Sequence, residues 1–371
     1  MQRNEEVFRA VCLNSDTFFT SSNDSINQTG TVTCSAPLKS IDGRTVLAIG
    51  CSKGVWVGFQ DDPKSIRQVI PLKKVTECAT LGKLGLFLVL ADKALYAYEI
   101  DTLLPKSPED QPKILESPKK ISDDERVHLF RTGELGGRTL VITVKNSQLS
   151  SVLCALEPEL QQAEVPNELQ MPITFKKYRE CYIASPTHDI VFLKTKLVGL
   201  AEERFGMLDL SDLSLVTTPP QTEDKDQGFL KRLFKSTTSL KPLGIFAVDL
   251  EMGDKFLLCY DGCGLYTDKN GNPDPDTKIK WEAIAERVAL HSPYVLLFNS
   301  DFIEAREIQS GKLVQKIEEN GIRCLWDGRE ADGSQPQQAR VHAVDVKDGN
   351  RTRHEIIEIV PVTDSESAKL V

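Results

Sequence analysis

The chain has 371 residues, 40% hydrophobic and 27% charged, with 45 Lys+Arg against 54 Asp+Glu for a net charge of −9. That balance argues against a general nucleic-acid binder, which needs a cationic surface, and the apolar content argues against a mostly disordered chain. At roughly 150 residues per domain the length suggests two or three domains, although large all-β assemblies exceed that size as one unit.

In chain order, the first nineteen residues, MQRNEEVFRAVCLNSDTFF, lack the apolar core of a secretory signal. Short apolar runs then alternate with turn residues. Val46 to Gly50 is followed by Gly54 to Gly58, and Leu86 to Leu90 is followed, across Ala91-Asp92-Lys93, by Ala94 to Tyr98. Leu140 to Val144, Asp189 to Leu193, Phe256 to Tyr260 and Val295 to Phe298 continue the series. Each run has strand length and is rich in β-branched or aromatic residues. Continuous apolarity means burial on both faces, as in sheets stacked between sheets. None approaches the ~18–20 apolar residues that span a bilayer. The nine cysteines are scattered without CxxC pairs, and Cys259 and Cys263 lack partners for a zinc site. They read as reduced, mostly buried residues of an intracellular protein, where the sequons at Asn23, Asn27 and Asn350 carry little meaning.

Successive runs are spaced by 39 to 65 residues. Four strands per 40 to 50 residues describe propeller blades, and the chain length divides into about seven. The clearest blade runs from Glu286 to Ile317, with four strands and three polar turns, and hands directly to the next at Gly321 to Trp326. A propeller must close its ring to avoid exposed edges. The segment Glu6 to Leu13 supplies a strand to the last blade, beside Ala339 to Val346 and His354 to Pro361. The expectation is an all-β, seven-bladed β-propeller, WD-repeat-like, forming one domain over residues 1–362 with a flexible tail at 363–371. Three inserts interrupt it: 104–123, a proline-rich solvated loop; 156–172, with room for a short helix between prolines; and 219–242, where acidic residues give way to basic and apolar ones.

Chemistry-bearing motifs are weak. Gly262 and Gly264 fit a hairpin turn better than a phosphate loop, because they open a strand and not a helix. Asp268 to Asp276 reads as an exposed turn, since an EF-hand needs Gly at the sixth position and Glu at the twelfth. The five histidines, at 128, 188, 291, 342 and 354, fall in separate blades. His188-Asp189 near Ser185 could orient an imidazole, but no nucleophile elbow accompanies it. No catalytic, metal or cofactor residue is assigned. A propeller hydrolase would require polar groups converging at the central channel. The segment Phe229, Leu230, Lys231, Arg232, Leu233, Phe234 and Lys235 stands out instead. Between residues 224 and 241 five basic residues face two acidic ones. As a helix it would set Phe229, Leu230, Leu233 and Phe234 on one face with cations around it, a pattern for a partner or an anionic membrane. The alternative is an insert packing its aromatics on its own propeller.

Two stretches resemble the citron homology (CNH) domain. They are GCSKGVWVGFQDDPKSIRQVI with GLFLVLADKALYAYEIDTLLP, and KFLLCYDGCGLYTDKNGNP with the blade at 279–317, closed by IRCLWDGRE at 322–330. The wording WVGFQDDPKSIRQV and IRCLWDGR looks most like the version found in fungal Rho-type guanine nucleotide exchange factors. The resemblance implies a protein-interaction platform with no catalytic motif of its own. It also implies a Rho-family small GTPase of cell-wall-integrity signalling as partner, with the exchange-factor catalytic module a candidate contact in cis. A cytoplasmic location with recruitment to the inner face of the plasma membrane follows. CNH domains in trafficking proteins and kinases imply the competing role of a membrane-targeting or scaffold module. The 219–242 insert is not a family feature.

Overall fold

The computed structural model describes residues 7–13, 20–21, 29–39, 43–105, 119–121, 126–160, 173–202, 204–218, 240–248, 255–274, 277–318, 321–329, 341–347 and 352–362. They form a seven-bladed β-propeller. Each blade is an antiparallel sheet, and in blades 1 to 6 the strands run outward in chain order. Blade 1 comprises Val32–Lys39, Thr45–Cys51, Gly54–Phe59 and Arg67–Ile70, and blade 2 comprises Val75–Leu81, Leu86–Ala91, Ala94–Glu99 and Lys119–Lys120. Blade 3 holds Leu129–Leu135, Arg138–Asn146, Ser151–Leu160 and Ile173–Ile183, and blade 4 holds Thr187–Phe192, Leu197–Ala201, Arg204–Leu208 and Leu215–Thr218. Pro242–Ala247, Lys255–Tyr260, Cys263–Asp268 and Ile279–Lys280 make blade 5. Arg287–His291, Tyr294–Phe298, Phe302–Glu307 and Leu313–Glu318 make blade 6.

Burial follows position in the sheet. Every residue of Gly54–Phe59, Leu86–Ala91 and Leu197–Ala201 is buried, because these strands are covered on both faces by neighbouring blades. The outer strand Leu313–Glu318 is largely accessible. Among the described residues seven hydrophobic clusters form, each spanning one pair of adjacent blades. One of them joins Val32, Ile49 and Trp56 of blade 1 to Leu325, Val344 and Ile356 of blade 7. Seven seams between seven blades close the ring.

Blade 7 is built from both ends of the chain. Arg323–Trp326, Val341–Lys347 and Thr352–Pro361 supply three strands, and Phe8–Cys12 pairs antiparallel with the third, from Phe8 opposite Pro361 to Cys12 opposite Ile357. Phe8 is fully buried, its ring centroid 5.0 Å from that of His291 and 5.4 Å from that of Tyr294. Gln315 of blade 6 reinforces the closure. Its Oε1 accepts from the amides of Val7 and Phe8 at 2.8 and 2.7 Å, and its Nε2 donates to the Phe8 carbonyl at 2.7 Å.

The inserts differ in part from expectation. Residues 156–160 continue the strand Ser151–Leu160 instead of starting a helix, because its register with Ile173–Ile183 carries on past a bulge at Ala155/Leu156. Within the expected loop at 104–123, Lys119–Lys120 pairs with Tyr96 and Ala97 as the outer strand of blade 2. Residues 106–118, 161–172, 219–239 and 363–371 lie outside the described residues. The Asp268 turn is a turn: its Oδ1 accepts from the amides of Asn270 and Asn272, both at 2.8 Å. Gly271 there adopts φ +81°, and a Cβ on it would stand 2.3 Å from Thr218 Oγ1.

Candidate functional site at the central channel

The first strands of the blades line a central channel, which encloses a cavity of about 310 Å³. Four of these strands each carry a charged residue at the channel, three of them into its lining and one, Asp189, buried just behind it. Glu77 comes from blade 2, Arg131 from blade 3 and Asp189 from blade 4, while Arg287 opens blade 6. The turn after the first strand of blade 7 adds Asp327 and Arg329. Burying one of these charges alone would cost several kcal/mol. Together they neutralise one another.

Asp189 is the hub, with its side chain 3% exposed. Its Oδ1 accepts from Arg131 Nε at 2.6 Å and from the Ile190 amide at 2.8 Å. Its Oδ2 accepts from Arg329 Nη2 at 3.1 Å and lies 3.6 Å from Arg287 Nη1. Arg131 Nη1 also reaches Glu77 Oε1 at 3.1 Å and donates to the Phe130 carbonyl at 2.6 Å, while Glu77 Oε2 accepts from the Phe130 amide at 3.0 Å. Arg329 binds Asp327 Oδ2 through Nε at 2.7 Å and Nη2 at 2.5 Å, and its Nη1 donates to the Ile190 carbonyl at 3.3 Å. Arg287 Nη2 stands 3.6 Å from Asp327 Oδ2. Three guanidiniums thus face three carboxylates drawn from five blades.

Burial by itself would raise the pKa of Asp189, but Arg131, Arg329, Arg287 and the Ile190 amide outweigh it and hold the carboxyl far below the ordinary carboxylate range. Asp327 is likewise lowered: Arg329 and Arg287 overcome the opposing effect of burial. Burial opposes the charge of Arg131 too, and Asp189 and Glu77 more than restore it. Asp189 and Asp327 are therefore carboxylates at neutral pH. Thiols also line the channel. Burial pushes Cys324 up to about 12, and Cys78 is raised by a hydrogen bond to Cys34 and by burial. These are thiols and not thiolates at neutral pH, and thiols are weak nucleophiles. The convergence of polar groups that a propeller hydrolase requires is present, but its chemistry is ion pairing.

The residues singled out from sequence separate. Phe229, Leu230, Lys231, Arg232, Leu233, Phe234 and Lys235 all lie outside the described residues. His188 and Asp189 part company: Asp189 joins the charge cluster at the channel, whereas His188 Nε2 donates to the Pro242 carbonyl at 2.6 Å and so ties blade 4 to blade 5. His128 Nδ1 accepts from the Asn146 amide, and His342 Nδ1 lies 3.0 Å from Ser35 Oγ across the seam between blades 7 and 1. No three His, Cys, Asp or Glu residues cluster as metal ligands among the described residues. Nor does any described helix have the length and apolarity to cross a membrane. The arginine–carboxylate cluster escaped sequence reasoning. Its one signal was a charge at the first strand of successive blades, visible only once the strands are aligned as blades.

Comparison with known proteins agrees with this architecture. The CNH domain model matches residues 43–328. Rho1 guanine nucleotide exchange factor 1 of Schizosaccharomyces pombe is 28% identical over 303 residues, covering 77% of this chain and 21% of that protein. RHO1 GDP-GTP exchange protein 2 of Saccharomyces cerevisiae is 25% identical over 337 residues, covering 86% of this chain and 23% of its own length. The chain thus spans about a fifth to a quarter of the curated relatives it matches. Among solved structures, the AfRom2 CNH domain superposes with a TM-score of 0.70 at 27% identity, covering 94% of this chain and 98% of that one. A matching region that covers most of the ring, together with a seven-bladed architecture shared with a solved member, places this chain in the CNH domain family.

Proposed function

We propose that this propeller is the non-catalytic interaction module of a Rho-type guanine nucleotide exchange factor, binding a Rho-family GTPase, regulating the adjoining exchange module in cis, or both. The observation that carries the reading is the alignment of 77–86% of the chain with part of several Rho1 exchange factors. The fold suits the task. Seven sheets packed face to face around the channel make a rigid ring, and the connections between strands emerge on two faces where they vary without disturbing the core. One face supplies the roughly 800 Å² per partner that a stable interface needs. The module then acts in the cytoplasm and at the inner face of the plasma membrane, where cell-wall-integrity signalling begins. The expected result is retention of a Rho GTPase by the purified chain with no acceleration of nucleotide release. Absence of retention in both the GDP- and GTP-bound states would remove the GTPase from the reading and leave regulation in cis.

A second reading rests on the cationic-aromatic sequence at 228–235. Basic residues near an anionic surface contribute about 1 kcal/mol each, so this segment would supplement a protein contact with a membrane contact. Flotation with phosphatidylserine vesicles separates the two. Loss of flotation in Phe229→Asp/Phe234→Asp supports the membrane contact, and equal flotation of variant and wild type dismisses it.

A further inference from the structure

The six charges of the channel are not equally engaged. Arg131 and Arg329 hold the carboxylates at 2.5 to 3.1 Å, whereas Arg287 approaches Asp189 and Asp327 only at 3.6 Å, beyond hydrogen-bond reach. A guanidinium carries five N–H donors, and those of Arg287 make no hydrogen bond among the described residues. Exposure also sets Arg287 first among the cluster's arginines, with Arg131 least exposed at 18%. The side chains of Arg287 and Arg329 are 39% and 33% exposed, against 3% for Asp189 and 10% for Asp327. Asp189 is set behind the lining, Asp327 and Glu77 reach it already paired with Arg329 and Arg131, and Arg287 presents the most exposed guanidinium to what enters. Phe192, Leu243, Phe246 and Leu290 line the same space and add apolar wall.

We infer that the channel is a binding site for a small organic carboxylate, its oxygens on the Arg287 guanidinium and its compact apolar body against Phe246 and Leu290. The planar fork of Arg287 matches a carboxylate with two parallel hydrogen bonds. Arg329 stands beside it across Asp327 and is already committed to that carboxylate and to Asp189, so the recognition rests on the donors of Arg287. A volume of about 310 Å³ is at the low end of ligand pockets, about 300–1,000 Å³. It admits one small molecule or one side chain and excludes a helix or a strand. Two sources share this chemistry: a free carboxylic acid, and the carboxylate at a peptide's C-terminus. The site is independent of GTPase binding, so its failure leaves that reading untouched.

Calorimetric titration with 3-phenylpropionate tests the site, with 3-phenylpropanol as the uncharged control. The acid is expected to bind and the alcohol to bind at least tenfold more weakly. Arg287→Gln, with its fold checked by circular dichroism, should lose at least tenfold in affinity for the acid, and Arg287→Lys should recover part of it. Leu290→Trp, which fills the cavity and leaves every charge in place, should abolish binding. An acetyl-Gly-Gly-Phe peptide with a free C-terminus, against its amide, separates the sources: binding of the free-ended peptide alone supports a protein tail, and binding of 3-phenylpropionate without the peptide supports a free acid. Equal binding of acid and alcohol, no binding of acid or peptide to wild type, or undiminished binding in Arg287→Gln or Leu290→Trp would overturn the proposal.

Discussion

Asp189→Asn changes a single atom of the side-chain end, yet it removes the anion that three arginines share. The remaining amide oxygen serves Arg131 or the Ile190 amide, while its NH2 group turns two donors toward Arg329, which held Oδ2 at 3.1 Å. Arg131, only 18% exposed, keeps Glu77 but exchanges its shorter contact with a carboxylate for one with a neutral amide oxygen. Removing one member of a buried ion-pair cluster costs about 3–5 kcal/mol, because the surviving charges stay desolvated. At about 2 °C per kcal/mol for a domain of this size, the melting temperature should fall by roughly 6–10 °C. Differential scanning fluorimetry at a fixed scan rate measures this, since large propellers unfold irreversibly in many cases. A second substitution, Arg329→Met, withdraws one stranded charge, so the double variant should be less destabilised than the sum of the singles, with coupling on the order of 0.5–3 kcal/mol. A fall of less than about 1 °C in Asp189→Asn would refute the view that the cluster clamps the ring.

Ring closure gives further tests. Phe8→Ala empties a fully buried site against Phe298 and Ile359 and should cost about 3–5 kcal/mol, read as a lower denaturation midpoint. Gln315→Leu leaves two amides and one carbonyl of residues 7 and 8 without their partner and should cost about 2–3 kcal/mol, with faster hydrogen exchange at Phe8 than elsewhere in blade 7. Burial keeps His188 and His291 neutral and lowers their pKa values. Their contribution to stability is therefore full above the ordinary histidine value of about 6.5 and is lost as pH falls through their lowered folded values. Wild type should melt lower at pH 5.5 than at pH 7.5, and His291→Leu should narrow that gap. Lys74→Met, which breaks the exposed Lys74–Asp92 pair, should leave the melting temperature unchanged.

The propeller was legible because its signal is local. A strand covered on both faces must be apolar at every position, and Leu86–Ala91 and Gly54–Phe59 read that way in sequence and in structure. The closing strand was legible through necessity: a ring with a free edge exposes unpaired backbone, and residues 6–13 were the available apolar stretch. Two polar segments were misread. Lys119–Lys120 is the outermost strand of blade 2, and Leu156 to Leu160 is the end of a third strand whose pairing with its inner neighbour stops at Leu156, so both carry loop-like composition. An outer strand needs only a neighbour to pair with, so its own residues announce little.

The channel cluster marks the other side of that division. Glu77, Arg131, Asp189, Arg287, Asp327 and Arg329 span 252 positions of chain, and each alone reads as an unremarkable charge in or beside a strand. No local rule relates them, because their proximity follows from the curvature that brings seven first strands around one axis. The sequence by itself determined the strands, their grouping into blades, the count of blades and the family, since all of these follow from local apolarity, spacing and motif wording. The tertiary fold alone sets which charges meet, that Asp189 and not His188 joins the cluster at the channel, and that Arg287 stands 3.6 Å from both aspartates. Burial makes a charge's energy depend on its partners in space, and those partners come from different blades.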